Sequence, residues 1–172
     1  MKNRRSIIVF LTAATLLFAC QSKKEKLSTQ IEEFEKQVAA SYDVETINQL
    51  IGCYQDYAKA YPKDSLSAEY LMRSADFNMR LKKGDEALAD LHAVIALYPD
   101  NQYVPLCYFL KGFIYEDVLY DIKSAEKAYY DFVARYPSHE LAMQASMAIE
   151  YLGQSPEDII VAFNDSTFNT IK

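Results

Sequence analysis

The dipeptide Tyr-Pro occurs three times in this chain, as Tyr61-Pro62, Tyr98-Pro99 and Tyr136-Pro137, at spacings of 37 and 38 residues. A fixed period of that size is the mark of a repeat architecture, in which each unit buries its apolar face only against its neighbours. Proline cannot continue a helical hydrogen-bond ladder, and it disfavours helix at the residue before it. Each Tyr-Pro therefore predicts the end of one helix. The polar residues that follow, Lys63-Asp64-Ser65, Asp100-Asn101 and Ser138, predict the cap of the next.

Between these marks the apolar residues fall at three- and four-residue steps. Ile47, Leu50, Ile51, Tyr54, Tyr57 and Ala58 form one stripe, and Ala68, Leu71, Met72 and Ala75 the next. Ala87, Leu88, Leu91 and Ile95 follow, then Phe109, Gly112 and Phe113, then Ala125, Ala128, Tyr129, Phe132 and Tyr136. No strand-like alternation competes. Gly84, in Lys82-Lys83-Gly84-Asp85, is expected to serve an inter-helix turn. Leu141, Ala142, Ala145, Ile149 and Leu152 predict one more helix, ended at Gly153. Ser155-Pro156-Glu157-Asp158 predicts a last short helix carrying Ile159, Ile160, Ala162 and Phe163, which covers the open end of the stack.

On these residues the chain resembles the tetratricopeptide repeat family over about residues 30–152. Ala75 and Ala87 fall at the small positions of one repeat, with Leu91 as the bulky contact. A one-residue insertion in the inter-helix turn brings Leu110-x-Gly112-x-x-Tyr115 onto the first-helix motif, paired with Ala125, Tyr129 and Phe132. Phe34, Val38, Leu50, Tyr54 and Tyr57 make a divergent first repeat. The chain has no tryptophan, and its period exceeds the usual repeat of about 34. The lengthened repeats resemble the envelope branch of the family, which includes TolA-binding-protein-like periplasmic proteins and the repeat lipoprotein of the outer-membrane β-barrel assembly machine. The resemblance implies an all-α fold: a superhelical stack of about three antiparallel helix pairs with a C-terminal capping helix.

The N-terminus carries a second resemblance. Lys2, Arg4 and Arg5 precede an apolar run of 12 residues from Ile7 to Phe18, and Cys20 follows Ala19. Basic, apolar, then small is the order of an export signal. The run is too short for a bilayer span, which takes about 20 residues. Leu17-Phe18-Ala19-Cys20 resembles the lipobox of bacterial lipoproteins, which implies cleavage before Cys20 and lipid carried by that cysteine. One acyl chain anchors only marginally; the two or three that the resemblance implies suffice. The expected organisation is a signal peptide at 1–19, a lipidated cysteine and tether at 20–27, a repeat domain at 28–165 and a tail at 166–172. Gln21 after the cysteine is compatible with the outer membrane, facing the periplasm.

The chain holds 18 basic and 24 acidic residues. Three of the basic residues and none of the acids lie in 1–19, so the remaining 153 residues carry a net charge of −9. Such a chain has no electrostatic footprint for nucleic acid, and it is expected to be repelled by anionic lipid surfaces. Membrane contact is thus expected through the lipid alone. Cys53 and Cys107 lie far apart in sequence and read as buried thiols. His92 and His139 have no partner at ligand spacing, and no glycine-rich loop is present to cradle phosphate. The adjacent acids Glu32-Glu33 and Glu116-Asp117 read as solvated faces. No enzyme, no cofactor, no metal and no small-molecule substrate is expected.

In stacked helix pairs the first helix of each pair lines the concave face. The inward positions are then Glu69, Met72, Asp76, Met79 and Arg80 in one repeat, and Leu106, Phe109, Phe113, Glu116 and Asp117 in the next, with Met147 and Tyr151 beyond. These residues describe a partner-binding groove with an apolar floor and an acidic edge; the same spacing also fits core packing. The expected function is a lipid-anchored scaffold for protein partners in the envelope. A permanent structural subunit is the alternative, and the fourteen tyrosines suit either. A glycan-binding module has only the aromatic content behind it.

Overall fold

The computed structural model describes residues 23–154. Among these there are helices and no strand. Helix α1 covers residues 23–40, α2 Val44–Ala60, α3 Ser65–Arg80 and α4 Gly84–Leu97. Helix α5 covers Val104–Phe113 and continues as a π-helical segment, Ile114–Val118. Helix α6 is Ile122–Arg135 and α7 Ala142–Tyr151. The fold class is all-α, with the Tyr-Pro corners recurring after every second helix from α2 to α6. Among the described residues no helix is long and apolar enough to cross a membrane. The expected signal peptide, Cys20 and the capping helix after Ser155 lie outside the described residues.

The three Tyr-Pro sites adopt one geometry. Tyr61, Tyr98 and Tyr136 cap α2, α4 and α6 with φ between −129° and −132° and ψ of 55–57°. In each case the tyrosine N–H still reaches the carbonyl four residues back, on Tyr57, Val94 and Phe132. The third residue after each tyrosine then bonds to its carbonyl, from Asp64, Asn101 and His139. The side chains of those same residues accept the N–H two positions on: Asp64 from Leu66 at 3.0 Å, Asn101 from Tyr103 at 3.0 Å and His139 Nδ1 from Leu141 at 3.2 Å. The repeated signal is therefore Tyr-Pro-x-[Asp/Asn/His], a helix stop fused to a turn.

The turn inside each helix pair also repeats. Lys82, at φ 59°, ends α3: Lys83 N–H reaches Asn78 O and Lys82 N–H reaches Met79 O. That is the paired closure of a Schellman end. Tyr120, at φ 55°, holds the matching place sixteen residues before Tyr136, as Lys82 does before Tyr98. Here Asp121 N–H spans six residues back to Tyr115 O. The expected one-residue insertion thus sits inside the helix, as the π-helical turn, rather than in the inter-helix loop. Gly84 differs from expectation too. It opens α4 and has no positive φ. A Cβ there would lie 2.5 Å from Leu119 Cδ2, so its need is close packing.

The chain divides into two compact units, one through Phe77 and one from Asn78 onward. The first has Ile31, Leu50, Tyr54 and Tyr57 at its centre, with Leu27, Phe34, Val38, Tyr61, Tyr70 and Phe77 around them. Tyr54 stacks on Tyr70 at 5.1 Å, and Tyr57 meets Tyr70 edge-on at 4.8 Å. Residues 23–26, expected as tether, are helical. The reason is tertiary: Lys24 pairs with Asp64 and stands 5.9 Å from the ring centres of both Tyr57 and Tyr61. The second unit centres on Phe109, Ala125, Tyr129, Phe132 and Ala145.

Asp43 and Asp121 cap α2 and α6 by accepting from the backbone N–H of Thr46 and Ser124, at 2.8 and 3.0 Å. Hydrogen bonds from Thr46 and Ser124 hold both carboxyls below the ordinary value of 3.8. The stability they add is present above pH 3.8 and is lost as pH falls through their lower folded values. Thermal melts followed by circular dichroism should be level near pH 5 and drop as pH falls through 3.8 and below. Asparagine caps about as well as aspartate but does not titrate. Asp43→Asn/Asp121→Asn should therefore melt nearly as high at pH 5 and lose less on acidification. An equal acid loss in the two proteins would assign the effect to other carboxylates.

Candidate partner-binding surfaces

Helix α3 buries Ser67, Ala68, Leu71, Ser74, Ala75 and Asn78. Glu69, Met72 and Asp76 lie on the stripe that this core face leaves, and each is half-buried. Within the first unit the acid at Glu69 is committed. Arg73 bridges Glu69 and Glu35, 2.6 Å to each, and Tyr54 donates its hydroxyl to Glu35 at 2.7 Å. Burial first, then the Glu35 hydrogen bond, pushes the Tyr54 hydroxyl pKa up. Glu69 thus orders its own helix rather than offering a free acidic edge. In the second unit Met79 is half-buried and Arg80 exposed.

Of the expected inward residues on α5, Phe109 belongs to the core. It is 8% exposed and meets Tyr129 at 5.8 Å and Phe132 at 5.6 Å. Leu106 packs on the same cluster. The spacing could not separate floor from core here, because α5 turns an apolar residue inward at nearly every step. Phe113, one turn on, is 38% exposed. Glu116 follows in the π-helical segment, where its carboxylate accepts the Tyr129 hydroxyl at 2.8 Å. Burial and that bond raise the Tyr129 pKa. Asp117 is exposed, and its backbone carbonyl accepts from Lys82 Nζ at 3.1 Å. On α7, Met147 is exposed and Tyr151 half-buried.

Met143 was not singled out in the sequence, yet it is 75% exposed one helical turn before Met147. The four-residue step was the available signal. Methionine is flexible and suits surfaces that accept varied partners. The second unit therefore presents Phe113 from α5 and Met143 and Met147 from α7, with Asp117 exposed after Phe113. A buried polar pair was also missed. Asn78 donates to Asp90 at 3.0 Å, with both side chains buried. Asn78 ends α3 on its apolar side, and spacing alone does not say that an acid will meet it.

Burial pushes the Cys107 thiol up to about 12 and raises Cys53, where Asp56 adds to the effect. The two are not joined in a disulfide. Among the described residues no group of three histidine, cysteine or acidic side chains is placed to hold a metal ion.

No protein-family model matches the sequence. The chain is 23% identical over 157 residues to the outer membrane protein assembly factor BamD of Caulobacter vibrioides, a match that covers 84% of this chain and 51% of that protein. The chain thus spans about half the length of the curated relative it matches.

Proposed function

We propose that this protein is a lipid-anchored, non-enzymatic repeat scaffold that holds protein partners at the periplasmic side of the outer membrane, in assembly or maintenance of that membrane. The likeness to an outer membrane protein assembly factor over most of this chain carries the reading. The lipobox-like Leu17 to Cys20 supports the anchor, and the exposed Phe113, Met143 and Met147 support a docking role. Aromatic anchors with apolar neighbours are how interfaces concentrate their binding energy. The partner segment should bring apolar side chains for Phe113 and Met147.

Affinity capture of the tagged full-length protein from detergent-solubilised envelope tests this, with Cys20→Ala as the anchor control. One integral outer-membrane protein should be recovered in near-stoichiometric amount. Phe113→Ser/Met147→Ser should keep full helical signal, because both side chains are exposed, and should recover at least about tenfold less of it, as expected when anchor side chains of an interface are lost. Undiminished recovery by that variant would place the interface elsewhere. A partner retained through stringent washing would mark a permanent subunit rather than a transient adaptor.

A further inference from the structure

A cavity of about 500 Å³ lies in the first unit, lined by Lys23, Lys26, Leu27 and Gln30 of α1 and by Asp56, Lys59 and Ala60 of α2. On α1 the lining residues fall at steps of three and four, one face of its first turns. On α2 they belong to the last turn. Three lysines thus line the cavity with a single carboxylate, Asp56, among the described residues, in a chain whose charge is otherwise acidic. All three lysines are exposed, and among the described residues none of them forms an ion pair or hydrogen bond. Lys24 does the opposite. It turns to Asp64 and the Tyr57 and Tyr61 rings and holds the start of α1 in place. Among the described residues the lining of this cleft therefore carries an excess of positive charge over Asp56, and like charges gathered this way are stabilised by an anion.

We propose that this cleft binds the phosphate of an anionic membrane lipid headgroup. The lysines meet the phosphate, while Leu27, Ala60 and the lysine stems offer an apolar wall to the glycerol end. The choice of lipid over free phosphate rests on the anchor proposed above. Lys23 lies three residues after Cys20, and three residues reach at most about 10 Å. A lipid on Cys20 would hold the cleft at the headgroup layer. The net charge of −9 does not oppose this, since salt screens charges beyond about 8 Å and the local ammonium groups decide the contact.

Native mass spectrometry of the full-length protein, purified from envelope in nonionic detergent, provides the test. Short-chain phosphatidylglycerol, phosphatidylcholine and inorganic phosphate are each titrated against the parent and against Lys23→Gln/Lys26→Gln/Lys59→Gln. The parent should retain phosphatidylglycerol at least about tenfold better than the variant, given roughly fivefold per lysine near an anionic surface. Phosphatidylcholine should be retained poorly by both. Equal retention of phosphatidylglycerol by parent and variant overturns the site. Inorganic phosphate bound as tightly as the lipid overturns the lipid assignment in favour of a free anion. The intact mass reads the lipid on Cys20 separately, so an unmodified cysteine would count against the anchor while the headgroup titration still tests the cleft. Lys59→Glu alone, at an exposed position, should reproduce the loss and guards against misfolding of the triple variant.

Discussion

Phe132→Ala is expected to lower the stability of the unit from Asn78 onward by about 4 kcal/mol. Phe132 is fully buried and lies between the rings of Phe109 at 5.6 Å, Tyr136 at 5.8 Å and His139 at 5.6 Å. These come from α5, from the Tyr-Pro corner after α6 and from the turn before α7. Removing the ring opens a cavity that three separately anchored elements cannot collapse. Domains of this size are stable by only about 5–15 kcal/mol, so the loss is a large share of the whole. Tyr130→Ala, on the same helix but 56% exposed, is the control and should shift stability by no more than about 0.5 kcal/mol. Urea denaturation read by circular dichroism measures both. A Phe132→Ala loss below about 1 kcal/mol would mean that the cluster does not hold the helices together in this way.

Gly112→Ala and Gly52→Ala are expected to have opposite signs. Both glycines sit inside helices, where alanine gains about 1 kcal/mol in propensity. At Gly52 nothing lies within 4 Å of an added Cβ, so the gain is realised. At Gly112 the Cβ would overlap the Tyr129 ring. That ring has little freedom to yield: it is 2% exposed, and its hydroxyl is held by Glu116 at 2.8 Å. Overpacking costs outweigh propensity here, and a net loss of about 2 kcal/mol is expected. In a Tyr129→Ala background the same Gly112→Ala change should become neutral or stabilising. A double-mutant cycle showing no coupling would remove the close approach of α5 and α6 as the reason for the glycine.

The repeat was legible because it is written in local chemistry. Tyr-Pro followed by Asp, Asn or His specifies a helix stop and a turn with no help from distant residues, and the three corners agree closely in φ and ψ. The helical stripes were legible for the same reason, and Ala75, Ala87, Gly112 and Ala125 stand buried at the small positions read from the spacing. The candidate surface was less so. Phe109 and Phe113 are one turn apart and chemically alike, yet one packs into the core and the other reaches solvent. Glu69 and Glu116 read as an acidic edge, but Arg73 and Tyr129 take their carboxylates. The π-helical turn was visible only as an extra residue; a count of residues does not say whether a helix or a loop absorbs it.

By itself the order of residues determined where helices start and stop, which face of each is apolar, and that the pattern recurs, because propensity, capping and periodicity act over a few neighbouring residues. Tertiary packing alone decided which apolar and acidic side chains stay available. It drew residues 23–26 out of a tether and into a helix through Lys24 and Asp64, and left Lys23, Lys26 and Lys59 around one cleft. Those outcomes depend on partners tens of residues away, and no local rule carries that information.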